Sequence, residues 1–282
     1  AGWPAHTLGP EMSPPRRRQL QVLPLLAAFW ACDSAQGAAA EPRGGLAQSL
    51  FEAALPLAEQ SLNGRFITQM VDGTLSKEVF QRYIFQDNLY LSKYARAFAI
   101  LAAKASRSDE FNWLMTASMA AMSEHGPLAL NNSLDNSMFD RYAMPVTVAY
   151  TKHFMQSAWT EEAPVGYASV LPCERLYQWL FSTIKATRHI ADDNPYKTFI
   201  DQYAKAANHR TVEELEALLE HSAEPKELNE LHGRISDAYN KAMAFEAAFF
   251  EQAFHEVDLP HFAQVSLISR RLGPALADRV VV

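Results

Sequence analysis

From Leu46 to Val257 the apolar residues return every three to four positions, and no sustained two-residue alternation interrupts them. That period belongs to helices that each bury one stripe. It predicts helices over Leu46–Asn63, Ser76–Ala105, Ser108–Leu130 (broken near Gly126-Pro127), Val146–Trp159, Val165–Thr187, Pro195–Ala207, Thr211–His221 and Lys226–Val257. Ser76 stands where an N-cap is needed, and Thr211-Val212-Glu213-Glu214 has the form of a capping box. Short polar connections such as Asp140–Met144 and Ser222–Pro225 favour antiparallel neighbours. The fold class expected is therefore an all-α helical bundle in a single domain. Only 11 Gly and 15 Pro are spread over 282 residues, too few for a many-turned β sandwich or barrel.

The ends differ in character. Residues 1–45 carry scattered prolines, Arg16-Arg17-Arg18, a short apolar run and small residues, a pattern resembling a targeting leader that starts at Met12. A disordered extension or flanking sequence is the alternative. The segment is expected to be dispensable for the fold, and the weakly patterned stretch 258–282 to be peripheral or disordered. The helical domain is assigned to 46–257.

Charge and cysteine content exclude several functions. A net charge of −7, with one basic cluster near the start, argues against nucleic-acid binding. No apolar run reaches the roughly 18–20 residues that span a bilayer. Two cysteines make no disulfide scaffold. A soluble cytoplasmic protein is expected, with organellar or secretory targeting the alternative if the leader acts. Neither a G-x-G-x-x-G nor a Walker loop is present, and no G-x-S-x-G elbow. Glu124-His125, Glu230-Leu231-His232 and Glu251…His255 miss the Glu-x-x-His spacing of di-iron bundles, and no His-x-x-x-His pair occurs. No metal and no cofactor are expected.

Three constellations carry chemistry. Asp87, Tyr90 and Tyr94 share one otherwise apolar helix face, where a carboxylate is costly unless something binds it. A structural aspartate bonded to a neighbouring tyrosine is the other explanation. Cys173 and Tyr177 form an i,i+4 pair just after Pro172, at what the pattern makes the start of a helical run. A first-turn thiol would feel the positive end of the helix dipole and ionise more readily; an inert buried cysteine is the alternative. Glu246 is set among Ala and Phe, with no Lys or Arg from Ala242 to Phe254. Desolvation there raises a carboxyl toward neutral pKa, as a general acid or base requires.

Asp87-x-x-Tyr90 on an early helix, Leu171-Pro172-Cys173-x-x-x-Tyr177 on a central one and Glu246-x-x-Phe249-Phe250 on the last resemble, in type and order, the TenA/thiaminase II family. The similarity runs from about Leu46 to Val257. It implies a heme-oxygenase-like bundle, hydrolysis of thiamin-derived aminopyrimidines or of thiamin itself, no cofactor, and a homotetramer. It also implies Cys173 as nucleophile, Glu246 as the carboxyl acting on a ring nitrogen, and Asp87 as the group holding the amino edge. Tyr90 and Tyr177 would pack on or orient the ring, Tyr203 would stand near the nucleophile, and Tyr150 would line the pocket. Retention of Cys173 places the chain in the cysteine-containing branch. Two alternatives stay open. One is a heme or redox enzyme on the same architecture, which lacks a histidine ligand between Leu46 and Ala105. The other is a catalytically silent aminopyrimidine-binding or protein-interaction relative.

Overall fold

The computed structural model describes residues 45–124 and 136–256. The leader and the tail both lie outside the described residues. Among them are ten helices and no strand: α1 (Leu46–Asn63), α2 (Arg65–Asp72), α3 (Lys77–Lys104), α4 (Ser108–Glu124), α5 (Asn136–Tyr142), α6 (Pro145–Thr160), α7 (Ala163–Thr187), α8 (Lys197–Tyr203), α9 (Ala206–Glu220) and α10 (Pro225–Gln252). The all-α expectation holds.

The central element is α7, which packs against α1, α3, α6, α8, α9 and α10. Its first half explains this place. Every residue from Pro164 to Pro172 is buried, so the helix has no polar face to give to water. Around it α3 pairs with α4 and α6, while α10 closes against α1 and α6. Ser76 caps α3 as its sequence requires, its hydroxyl accepting from the Val79 amide at 3.3 Å.

Local signals failed in three places. The helix expected to start at Thr211 begins at Ala206, so Thr211 is interior and its capping box is unused. Pro195–Ala207 shortens to Lys197–Tyr203 because Pro195 belongs to a turn built by Asn194. That side chain donates to the carbonyls of Met70 (3.1 Å) and Val71 (2.8 Å) and accepts from the Tyr196 amide (2.7 Å). It thereby satisfies the open end of α2, whose chain turns away through Gly73 at φ 73°. Both α2 and α5 are too short to announce themselves by periodicity, and neither is anticipated.

Helix α7 approaches its neighbours closely at Gly166. A β-carbon there would sit 2.6 Å from Leu101 Cδ2 and 3.6 Å from the Ala158 backbone. Leu101 is itself fully buried and has nowhere to turn. Gly166→Val is expected to destabilise the protein by about 2–3 kcal/mol through overpacking, read as a lowered midpoint in thermal or urea melts.

Candidate active site

Four helices bring their chemistry to one cavity. Asp87 and Tyr90 come from α3, Tyr150 from α6, Cys173 and Tyr177 from α7, and Glu246 and Phe249 from α10. The enclosed space is about 10 Å³, room for one water. Anything larger than a water would fit there only if the lining side chains part. A wider groove of about 540 Å³, bordered by Lys152, His153, Asp237, Lys241 and Phe245, lies elsewhere and holds none of the candidate residues.

Glu246 is only 3% exposed. It lies on the stripe of α10 that also carries Tyr239, Met243, Phe249 and Phe250, all buried. Desolvation is the main reason its carboxyl pKa rises to about 8, and the nearby carboxylates Asp87 and Glu174 push the same way. Hydrogen bonds from Tyr150 and from the Cys173 thiol oppose the rise. The Tyr150 hydroxyl donates to Glu246 Oε1 at 2.5 Å. Near pH 7 the raised pKa favours the neutral acid, held by the Tyr150 hydroxyl and the Cys173 thiol.

Cys173 requires a correction. It is not in a first turn: α7 runs unbroken from Ala163, ten positions earlier, and accommodates Pro172 in its interior. The helix N-terminus is too far away for its dipole to assist the thiol, since that effect fades within one turn. Burial instead pushes the Cys173 thiol well above its ordinary range, and Glu246, Glu174 and Asp87 add repulsion against a thiolate. The resting group is a thiol beside a carboxylic acid.

The aromatic lining is continuous. Tyr90 packs on Tyr150 and Phe249 with ring centroids 5.0 and 5.7 Å apart. Its buried hydroxyl, beside Cys173 and Tyr150, completes no hydrogen bond of normal geometry. Tyr94, expected on the same face, stacks behind Tyr90 and donates to the Val170 carbonyl at 3.0 Å, so it supports the pocket without lining it. Tyr177 is hydrogen-bonded to Tyr83, hydroxyl to hydroxyl. Tyr203 stands one ring further out, 5.2 Å from Tyr177 and 5.4 Å from Phe181. The structure thus gathers Asp87, Tyr90, Tyr150, Cys173, Tyr177 and Glu246, and leaves Tyr203 as backing to Tyr177. Two residues of the quoted helix faces were not assigned to the site. Phe249 stands one turn from Glu246 and Tyr83 one turn before Asp87, a helical spacing that could have found both.

A thiol and a neutral carboxylic acid facing a common aromatic pocket are groups that can carry out nucleophilic addition coupled to proton transfer. The TENA/THI-4/PQQC family profile matches residues 52–256, and the chain belongs to that family. It is 27% identical over 221 residues to the aminopyrimidine aminohydrolase of Halalkalibacterium halodurans, an alignment covering 74% of this chain and 96% of that protein. It is 29% identical over 218 residues, 76% of its length, to the thiamine biosynthesis multifunctional protein ThiED of Corynebacterium glutamicum. There it spans only 27% of the relative. The solved structure of a TenA homologue from P. horikoshii OT3 shares the fold, with a TM-score of 0.63 at 20% identity over 75% of this chain and 99% of that one. No described helix is long and apolar enough to cross a membrane.

The raised Glu246 pKa has a consequence for stability. A carboxyl whose folded pKa lies above its unfolded value favours the native state at low pH, and that contribution is lost as pH rises through the folded pKa. For Glu246 the window runs from its ordinary value near 4.5 to about 8. Glu246→Gln is expected to remove this loss. Its melting temperature should exceed that of the parent at pH 9 by several degrees more than at pH 6, as read by calorimetry across that range.

Proposed function

We propose that the chain hydrolyses an aminopyrimidine derived from thiamin, converting 4-amino-5-aminomethyl-2-methylpyrimidine to the hydroxymethyl compound, and that thiamin itself is a second substrate. The observation that carries this reading is the convergence of Cys173, Glu246 and Asp87 from three helices on one aromatic cavity, with Glu246 raised to about 8. Membership of the family and the aminohydrolase among its relatives support the substrate class.

The proposed steps follow from the states of the two groups. Glu246 gives its proton to a ring nitrogen, which makes the adjacent ring carbon electrophilic. Cys173 Sγ bonds to that carbon, and the thiol proton passes to the carboxylate just formed on Glu246. This relay removes the need for a free thiolate, which the site disfavours. The ring, no longer aromatic, pushes electrons toward the exocyclic carbon. The C–N bond there breaks, and the departing amine takes the proton from Glu246 and leaves as ammonia. Water adds to the exocyclic carbon and returns a proton to Glu246. The C–S bond then breaks, the ring nitrogen's proton returns to the thiol through Glu246, and the aromatic alcohol is released. Asp87 accepts hydrogen bonds from the 4-amino group and so discriminates against 4-oxo rings, which present no donor there. Tyr90, Tyr177 and Phe249 clamp the ring faces, and Tyr203 fixes Tyr177 from behind.

Three variants test the assignment in assays of ammonia release from the aminomethylpyrimidine and thiazole release from thiamin. Cys173→Ser is expected to lose nearly all turnover while still binding the ring. Glu246→Gln should lower kcat by about 10²-fold or more. Asp87→Asn should weaken substrate binding by roughly 2–4 kcal/mol and relax discrimination against 4-oxo analogues. Full turnover by Cys173→Ser would exclude the covalent route. Absence of turnover in the parent protein, with tight binding of hydroxymethylpyrimidine, would favour a silent binding relative.

We further propose a homo-oligomer, a tetramer by family resemblance. What supports it is an apolar face on α4, where Phe111, Met119 and Met122 are 44%, 68% and 45% exposed. Light scattering at micromolar concentration should give a mass above that of the monomer, and Met119→Glu should lower it; a monomeric parent would overturn the assignment.

A further inference from the structure

Beside the pocket lies a second set of buried polar groups to which the proposed chemistry gives no part. Gln86 on α3 and Thr147 on α6 are fully buried, and Gln252 on α10 is 3% exposed. Burying three uncharged polar side chains is unfavourable unless their donors and acceptors are matched. Here they match closely. Gln86 Oε1 accepts from Thr147 Oγ1 at 2.7 Å and from the Met144 amide at 2.9 Å. Gln86 Nε2 donates to the Tyr142 carbonyl at 2.9 Å. Gln252 Nε2 donates to Thr147 Oγ1 at 3.0 Å, and Gln252 Oε1 accepts from the Thr147 amide at 3.3 Å.

Two of the donors satisfied in this way, the amides of Met144 and Thr147, belong to the start of α6. That helix has no side-chain N-cap of its own, with Met144 at the cap and Pro145 following. A Ser or Asp at position 144 would have capped it locally. The bundle instead caps it with side chains from two other helices, which ties the position of α6 to both. Each tied helix carries a pocket residue close by: Asp87 follows Gln86 directly, Tyr150 is three residues after Thr147, and Phe249 and Glu246 are three and six residues before Gln252. Residues three apart on a helix share a face, so along α6 the polar set sits one turn from Tyr150, and along α10 it sits nearly two turns from Glu246.

We propose that Gln86, Thr147 and Gln252 are positioning residues that lock α6 in register with α3 and α10 and so hold the Tyr150 hydroxyl on Glu246. A hydrogen bond of 2.5 Å tolerates little sliding between its helices. Glu246 is faced by Asp87, Tyr83, Tyr90 and Tyr94 from α3, by Tyr150 from α6, and by Cys173, Glu174 and Tyr177 from α7. Of these, Tyr150 and Cys173 donate to the carboxylate and favour it. Loosening Tyr150 therefore moves the titration of Glu246 upward. The effect on turnover rests on the function proposed above; the effect on the carboxyl does not.

The test is an infrared titration of the Glu246 carboxyl in the unliganded protein, obtained as the difference from Glu246→Gln, alongside ammonia-release kinetics. Thr147→Val keeps the shape and removes the hydroxyl. It is expected to raise the titration midpoint by at least half a pH unit and to lower kcat about 5–10-fold. Thr147→Ser, which restores the hydroxyl, should titrate like the parent. In a Tyr150→Phe background, Thr147→Val should add no further shift. If Thr147→Val fails to fold, Gln252→Met, which leaves the Gln86–Thr147 pair intact, is read in the same way. A lowered melting temperature with an unmoved midpoint, or an equal shift with and without Tyr150, would overturn the proposal. A parent that releases no ammonia would overturn the functional reading instead and leave the titration to decide this one.

Discussion

The arrangement depends on keeping one carboxyl out of water. Glu246 on α10 has almost no exposure, and the rings of Tyr90, Tyr150 and Phe249 close around it. To bury a carboxyl this way, α3, α6 and α7 must each present a flat or polar side chain to the same point on α10. They must also leave at least one hydrogen bond for the acid, which Tyr150 supplies. The continuous burial of the first half of α7 and the close approach at Gly166 follow from the same packing, since α7 runs through the middle of the helices that meet there.

The same desolvation acts on Cys173 with opposite chemical meaning. It turns the carboxyl into an acid that is useful near neutral pH, and it makes the thiol harder to ionise. Two groups that each resist charge can still react if a single proton circulates between them as bonds form. The carboxyl and the thiol lie close enough for their titrations to belong to the pair rather than to either residue. The Tyr83–Tyr177 contact extends this low-dielectric wall around the thiol side.

Most of the fold was legible because helical periodicity is a property of long elements. The bounds of α1, α3, α6 and α7 came within two residues of those expected. Glu246 was equally legible, since an acid among alanines and phenylalanines stands out. What misled was local. Pro172 reads as a helix start but sits inside α7, where packing on all sides offsets the lost backbone hydrogen bond. Thr211 reads as a cap, yet α9 starts five residues earlier, at Ala206. The glutamines at 86 and 252 gave no signal, because an uncharged amide in a helix looks like any surface residue until its three-dimensional partners are known. Tyr203 was placed at the pocket by likeness to a family, and the intervening ring of Tyr177 keeps it one layer out.

The borrowed cap of α6 also bears on how the chain reaches its native state. The groups that secure the start of this helix come from positions 61 and 105 residues away in sequence. A helix of 16 residues with no local cap gains little by forming early. Closing such long loops costs entropy before any contact repays it. The N-terminal turn of α6 is therefore expected to form late, after α3 and α10 have brought Gln86 and Gln252 to it. Contacts that form that late act on the unfolding rate far more than on the folding rate.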